Sequence, residues 1–260
     1  MLLNNFGNTC YINSVLQIFL NNEHFMNHVK NKTYETTTLI HSFKCITSRE
    51  SLKVFLLHLN DKIKDKMHLN TQNDVNEMYT FLLELFEEED EEVAKLFVGT
   101  QKKVFKCIEC ENKRDTRENF TTLNLYTTFD NLQDSIMSIF DKEILDGIEC
   151  EHCHRKTKTE ARCKISKWPK NLILTINRFS VDCKIEKNFD FTKNIELSIS
   201  GKITKYKLIG IINHLGLATF GHYTYIKIDG ESYTEISDDK VRTVLNYKSP
   251  YNYVLIYTTI

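Results

Sequence analysis

Tyr11, Ile12, Val15, Leu16, Phe19 and Leu20 recur at helical spacing and predict a helix with one apolar face. It follows a loop that opens near Asn4, and Cys10 stands where the helix begins. A longer repeat of Val75, Met78, Tyr79, Leu82, Leu83 and Phe86 predicts a second helix after Thr71. The Thr71 hydroxyl would cap it together with Asp74, three residues on. That repeat runs into the acids Glu87–Glu92, Asp90 among them, which suit a helix C-terminus badly and predict a solvated turn. From Val104 onward the texture changes to short β-rich runs: Phe120–Phe129, Leu172–Ile176, Tyr206–Ile212, Tyr223–Ile228 and Tyr253–Tyr257. Turn signals such as Asp229-Gly230 separate several of them. Helices first and strands later predict an α+β fold. No repeat or low-complexity linker divides the 260 residues, which read as one continuous unit.

Composition narrows the class. Hydrophobic residues make up 41% of the chain, with only 8 Gly and 2 Pro, which excludes disordered and collagen-like proteins. With 34 basic against 35 acidic side chains, nothing marks a polybasic binder of nucleic acid or of a membrane surface. No apolar run reaches the ~18 residues of a membrane span. The first twenty residues carry no Lys or Arg, so the charged start of a signal peptide is absent. These features predict a soluble intracellular protein, cytoplasmic or nuclear, with no N-terminal targeting segment.

Eight cysteines could mean four disulfides, but that reading needs an oxidising compartment and suits much smaller chains. Cys107-Ile108-Glu109-Cys110 and Cys150-Glu151-His152-Cys153 are two C-x2-C pairs. Each can form a tight knuckle aiming two thiolates at one metal, and two knuckles complete a tetrahedral site. Zinc suits four soft thiolates with no position left open, so the ion would be structural. Because residues 111–149 lie between the pairs, the knuckles would clamp the two ends of a strand-rich excursion. His152 and His154 read as surface residues, and Cys45, Cys163 and Cys183 as free thiols.

Cys10 carries the most chemical information. The partial positive charge of a helix N-terminus favours a thiolate and would lower its pKa. Asn5 offers an amide to a developing oxyanion, and Gly7 would let the backbone approach closely. A nucleophilic cysteine also needs a base, and His222, in Gly221-His222-Tyr223 at the head of a β-rich run, is the best placed. Taken singly, Cys10 fits a buried small hydrophobe and His222 an ordinary strand residue.

Together the segments resemble a known family. Gly7-Asn8-Thr9-Cys10-Tyr11-Ile12-Asn13-Ser14-Val15-Leu16-Gln17 is similar to the cysteine box of the ubiquitin-specific proteases. Gly221-His222-Tyr223 with Tyr253-Val254-Leu255-Ile256-Tyr257 resembles their histidine box, and Gln72-Asn73-Asp74-Val75-Asn76-Glu77-Met78 their glutamine-and-aspartate helix motif. Leu174-Thr175-Ile176-Asn177-Arg178-Phe179 and Lys184-Ile185 match a strand signature, and the C-x2-C pairs match the zinc site of the fingers. Five boxes stand in family order from Asn5 to Tyr257.

The resemblance implies a papain-like cysteine protease fold of thumb (about 1–98), zinc-bearing fingers (about 99–165) and palm (about 166–260). It implies hydrolysis of the bond after the terminal Gly-Gly of ubiquitin or a ubiquitin-like modifier. Cys10 would be the nucleophile, His222 the base and then the acid, and Asn5 the oxyanion donor. Asp74 and Glu77 match positions that meet the arginines of the ubiquitin tail, with Gln72 a polar contact beside them. Tyr223 and Phe179 match aromatics flanking the Gly-Gly channel. One departure stands out. Where the family places an Asn or Asp to orient the histidine, this chain has Ser237, followed by Asp238 and Asp239. Either Ser237 completes a Cys-His-Ser triad or Asp238 swings in, and the electrostatics favour Asp238, since a carboxylate steadies an imidazolium better. Rival readings are a catalytically idle ubiquitin-binding module and a zinc-finger nucleic-acid binder, the latter disfavoured by the balanced charge. Partner choice would rest on this domain or on adaptor subunits.

Overall fold

The computed structural model describes residues 1–69, 71–179, 183–217 and 220–260. The N-terminal part is helical: α1 (Cys10–Leu20), α2 (Glu23–Lys30), α3 (Leu39–Lys44), α4 (Arg49–Ile63), α5 (Val75–Glu89) and α6 (Glu91–Phe97). The helix α1 is buried from Cys10 through Phe19, on every face and not on one only. Phe19 is the hub, its ring 4.9 Å from Phe25, 5.3 Å from Phe86 and 5.4 Å from Phe97. A helix buried all round must still satisfy its polar side chains. Asn13 donates to the carbonyls of Leu3 and Asn4, and Gln17 to that of Met1. The first five residues therefore lie along α1 as a strap.

Two sequence expectations change here. The cap of α5 is Asp74, whose Oδ1 accepts from the Asn76 N–H at 2.7 Å, while the Thr71 hydroxyl donates to His68. A carboxylate adjoining the first helical residue is the better-placed acceptor for the N-terminal N–H groups. Asp90 is not in a solvated turn: it is 4% exposed, ends α5 and caps α6. It accepts from Lys32 Nζ (2.8 Å), the Tyr34 hydroxyl (2.7 Å) and His28 Nε2 (2.7 Å). Burial alone would raise its pKa, but these donors outweigh it and hold Asp90 at about 2.

Beyond α6 the chain builds two sheets. Strands β1 (Gly99–Cys107), β2 (Lys113–Phe120), β4 (Lys142–Cys150) and β5 (Arg155–Lys167) form an antiparallel sheet of order β2-β1-β5-β4. Between β2 and β4 the chain leaves this sheet. Strand β3 (Leu123–Tyr126) pairs parallel with β6 (Asn171–Asn177) in the larger sheet, and α7 (Leu132–Ser138) follows. The expected Phe120–Phe129 strand is thus split between two sheets, and part of the 99–165 span sits against the other one. The larger sheet also contains β7 (Asn194–Ile199), β8 (Lys202–Gly216), β9 (Gly221–Asp229), β10 (Ser232–Ser237), β11 (Lys240–Val244) and β12 (Asn252–Thr259). Its order is β11-β10-β9-β8-β12-β6-β3, with β7 on β8.

Strand alternation gives that sheet two covered faces. Ile173, Tyr223, Tyr225, Val254 and Ile256 pack with the helices, α1 chief among them, while Leu174, Ile226, Leu255 and Tyr257 pack with α7 and β3. The head of β9 therefore lies against the head of α1. Among the described residues, no helix is long and apolar enough to cross a membrane.

Candidate active site and metal centre

Cys10 is the first residue of α1 and 4% exposed. Its sulfur lies against the backbone N–H groups of Tyr223, Tyr11 and Cys10 itself, which favour the thiolate. Burial outweighs them, with the charge of Asp238 adding to it, and pushes the thiol pKa up. The sequence expectation of a lowered pKa is corrected here, because the helix terminus is dry. A neutral thiol at rest needs a neighbouring base to take its proton, and the Tyr223 contact brings in the strand head that carries His222. Gly7 has φ +91° with nothing within 4 Å of where a Cβ would stand, so its role is a left-handed turn and not close approach.

His222 Nε2 stands 2.9 Å from Ser237 Oγ. The pairing Ile236↔Tyr225 puts Ser237 opposite Thr224, on the face of the sheet that His222 shares. Asp238 does not reach the imidazole. It opens the two-residue turn closed by Ser237↔Lys240, has φ +55°, and points off that face. Its Oδ1 accepts from Asn13 at 2.7 Å and its Oδ2 from Asn5 at 3.0 Å, so the expectation that it orients His222 gives way. Asn5 Oδ1 accepts from the N–H of Gly7 (2.9 Å), the N–H of Thr9 (3.2 Å) and the Thr9 hydroxyl (3.1 Å). Those three donors fix the amide's orientation and leave its NH2 to Asp238 and one further acceptor.

The residues expected at a ubiquitin tail gather where α5 meets β9. Gln72 grips Gly221 at both ends, its Nε2 donating to the carbonyl at 2.9 Å and its Oε1 accepting from the N–H at 3.0 Å. Asp74 Oδ2 accepts from the hydroxyls of Tyr253 (2.8 Å) and Tyr223 (3.4 Å). Glu77 is exposed in the first turn of α5. Phe179 is half-buried, edge-on to Tyr253 at 5.3 Å. His214, which no motif singled out, lies 4.6 Å from the Tyr223 ring and fills the space under Gly221, where a Cβ would come within 2.2 Å of its Nε2. Burial, with the charge of Lys184 nearby, lowers the pKa of His214 to about 4, so it is neutral. Asn13, also unassigned by sequence, joins α1 to the Asp238 turn; it falls outside the apolar face that helical spacing predicts, so periodicity gave no sign of its burial.

At the far end of the smaller sheet, the β1–β2 and β4–β5 hairpins each end in a knuckle. The N–H of Glu111 donates to the Cys107 carbonyl and that of His154 to the Cys150 carbonyl, with Glu111 and His154 both at positive φ. The four cysteine sulfurs lie within 4.8 Å of one another, Cys107 to Cys153 at 3.9 Å and Cys110 to Cys150 at 3.6 Å. Sulfurs ~2.3 Å from a shared tetrahedral ion stand ~3.8 Å apart, so the set fits one metal. The knuckles meet at one tip, which brings the two ends of the 111–149 excursion together as the spacing predicts. His152 and His154 are exposed and outside the cluster.

Comparison with known proteins gives the same picture. The ubiquitin carboxyl-terminal hydrolase family model matches residues 2–257. Ubiquitin carboxyl-terminal hydrolase 36 of Drosophila erecta is 26% identical over 287 residues, covering 92% of this chain and 26% of that protein. Its counterpart in Drosophila mojavensis is 25% identical over 297 residues, covering 92% and 24%. The chain thus spans about a quarter of the length of these relatives. Among solved structures, the SAGA Ubp8/Sgf11/Sus1/Sgf73 DUB module bound to monoubiquitin aligns with TM-score 0.84 at 20% identity, over 100% of this chain and 69% of that one. The same module bound to ubiquitin aldehyde gives 0.82 at 21%, over 100% and 69%. These likenesses establish the papain-like fold. With its sequence matched from residue 2 to residue 257, the chain belongs to the ubiquitin carboxyl-terminal hydrolase family.

Proposed function

We propose that this chain is a thiol-dependent deubiquitinase, cleaving the peptide or isopeptide bond after the C-terminal Gly-Gly of ubiquitin or a ubiquitin-like modifier. The observation that carries the reading is the Cys10 sulfur, at the head of α1, lying against the N–H of Tyr223, the residue next to His222 on β9; Asn5 is tied to the same region through Asp238. When Nε2–H donates to Ser237, Nδ1 of His222 is free to accept the Cys10 proton. The sulfur then attacks the glycine carbonyl, and the Asn5 amide donates to the oxyanion. His222 returns the proton to the leaving amine and then takes one from the water that hydrolyses the thioester. Ser237 orients the imidazole, and Asp238 acts at one remove, holding the Asn5 amide in place.

Asp74, Glu77, Gln72, Tyr223 and Phe179 form the tail-binding corner in this reading. Glu77 supplies the free charge, because Asp74 and Gln72 are already bonded within the chain. Zinc is the ion we assign to Cys107, Cys110, Cys150 and Cys153, which would tie the two hairpin tips together and leave no position for substrate. The helical part to about 98, the sheet bearing the knuckles and the larger sheet correspond to thumb, fingers and palm. The SAGA module in the comparison carries Sgf11, Sus1 and Sgf73 beside Ubp8 and is bound to ubiquitin aldehyde. By that likeness we assign ubiquitin-type modifiers as ligands and companion subunits as the partner class; the free cysteines support an intracellular site of action, cytoplasmic or nuclear. The test is hydrolysis of a ubiquitin C-terminal aminocoumarin reporter, expected of the wild type and abolished in Cys10→Ala. An idle binding module, which the raised Cys10 pKa favours, would bind ubiquitin with no turnover in either protein.

A further inference from the structure

The near balance of basic and acidic side chains along the chain conceals an uneven distribution in space. On β5, alternation buries Thr157, Thr159, Ala161 and Ile165 on one face of the smaller sheet and leaves Lys156, Lys158, Arg162 and Lys164 exposed on the other. Register carries that exposed face across the sheet. Lys102 of β1 stands directly between Arg117 of β2 and Lys164 of β5, so three cations lie side by side. Lys113 likewise opposes Lys106, and Arg162 opposes Lys142. Like charges directly opposite one another destabilise a sheet. The chain's own acids relieve only part of this: Asp115 pairs with Lys102 at 3.0 Å, and Glu160 with Lys142 and, at 3.8 Å, Arg162. Lys113, Arg117, Lys158 and Lys164 make no ion pair among the described residues. The repulsion left over is a cost to the fold that an acidic ligand would remove.

The neighbours of these cations narrow the class of ligand. None of the strand residues on this face is aromatic, so it offers no platform on which a base could stack. Asp115, Glu149 and Glu160 stand among the cations and would repel a continuous phosphate backbone. Ile144, 54% exposed on β4, and Val104 on β1 share the face and add apolar surface, the mixture found where proteins meet. We propose that this exposed face of the smaller sheet docks an acidic segment of a partner protein, one with an aliphatic side chain among its carboxylates. The proposal stands apart from the hydrolase reading, since none of these residues belongs to the Cys10 site or to the tail-binding corner.

The test is fluorescence anisotropy of a labelled peptide of glutamates with a central leucine, titrated with the full chain. The wild type is expected to bind it, with an affinity that falls as salt is raised. Lys164→Glu should weaken binding by about tenfold or more, the scale of one charged contact. Lys202→Glu makes the same charge change at an exposed position of the larger sheet and should shift binding by less than about twofold. Because Lys164→Glu turns a like-charge pair with Lys102 into an opposite one, its Tm should equal or exceed that of the wild type. A lowered Tm would overturn the electrostatic reading of the row. An absence of binding by the wild type, an equal loss in Lys202→Glu, or tighter binding of a duplex oligonucleotide would each overturn the proposal. So would a raised KM for a ubiquitin reporter in Lys164→Glu, which would give this face to ubiquitin itself.

Discussion

At the scale of single residues, the adjacent Ser237 and Asp238, rival candidates in the sequence for orienting His222, serve different partners. Alternation along β10 carries Ser237 to the imidazole, while the left-handed turn sends Asp238 to Asn5 and Asn13. If Asp238 acts through Asn5, their losses should not add. Asn5→Ala is expected to lower kcat by about a hundredfold or more, as for other oxyanion donors, and Asp238→Ala by a similar factor. The double variant should be no slower than the worse single one, and multiplicative losses in a kinetic cycle would refute the coupling. Ser237→Ala, which removes a neutral partner only, should cost about tenfold or less. The sequence named Asn5, His222, Ser237 and Asp238 but neither Asn13 nor this division, because turn handedness and the direction of a side chain off a strand are set by pairing register.

At the scale of elements, the start of α5 shows how one motif mixes support with recognition. Asp74 caps the helix and accepts from Tyr253, whereas Glu77 is exposed and makes no ion pair among the described residues. Asp74→Ala should therefore lose about 1 kcal/mol of stability with its cap, read as a lower Tm. Glu77→Lys should leave Tm in place and raise KM for a ubiquitin substrate, by an amount equivalent to ~1.5–3 kcal/mol. An unchanged KM would move the tail surface elsewhere. The α5–α6 junction holds a pH-dependent contribution. Since the pKa of Asp90 is held at about 2, below that of an unfolded carboxyl, its stabilisation is complete above pH ~4 and lost as pH falls through 2. It is on the order of 2 kcal/mol. Asp90→Asn should unfold at a lower denaturant concentration at pH 6 and lose less further stability on acidification; parallel curves for the two proteins would contradict this. Helical spacing revealed α5 but not α6, whose start lies within the acid run. Six acids in a row concealed that one of them is buried, since its partners Lys32 and Tyr34 come from distant sequence.

At the scale of the whole molecule, two sheets and a helical layer hold the proposed reaction centre at one junction and the four-cysteine cluster at a distant tip. The paired C-x2-C spacing made the four ligands legible in the sequence. That the knuckles cap neighbouring hairpins was not legible, because β3 and α7, between them, belong to the larger sheet. Metal analysis should find about one zinc per chain. Cys110→Ser should lower Tm before it alters turnover per folded molecule, and a metal-free protein of unchanged stability would refute a structural ion. The boxes that carry the chemistry were readable by type and order, while the buried His214 and the Asn13 brace needed three dimensions. Everything functional depends on Cys10 being an activated nucleophile despite its burial. The most direct measurement is reaction with ubiquitin bearing a C-terminal electrophile, followed by mass spectrometry of the adduct. A single ubiquitin attached at Cys10, with no adduct on Cys10→Ala, is the predicted result. An unlabelled wild type, or an adduct on any other cysteine, would contradict it.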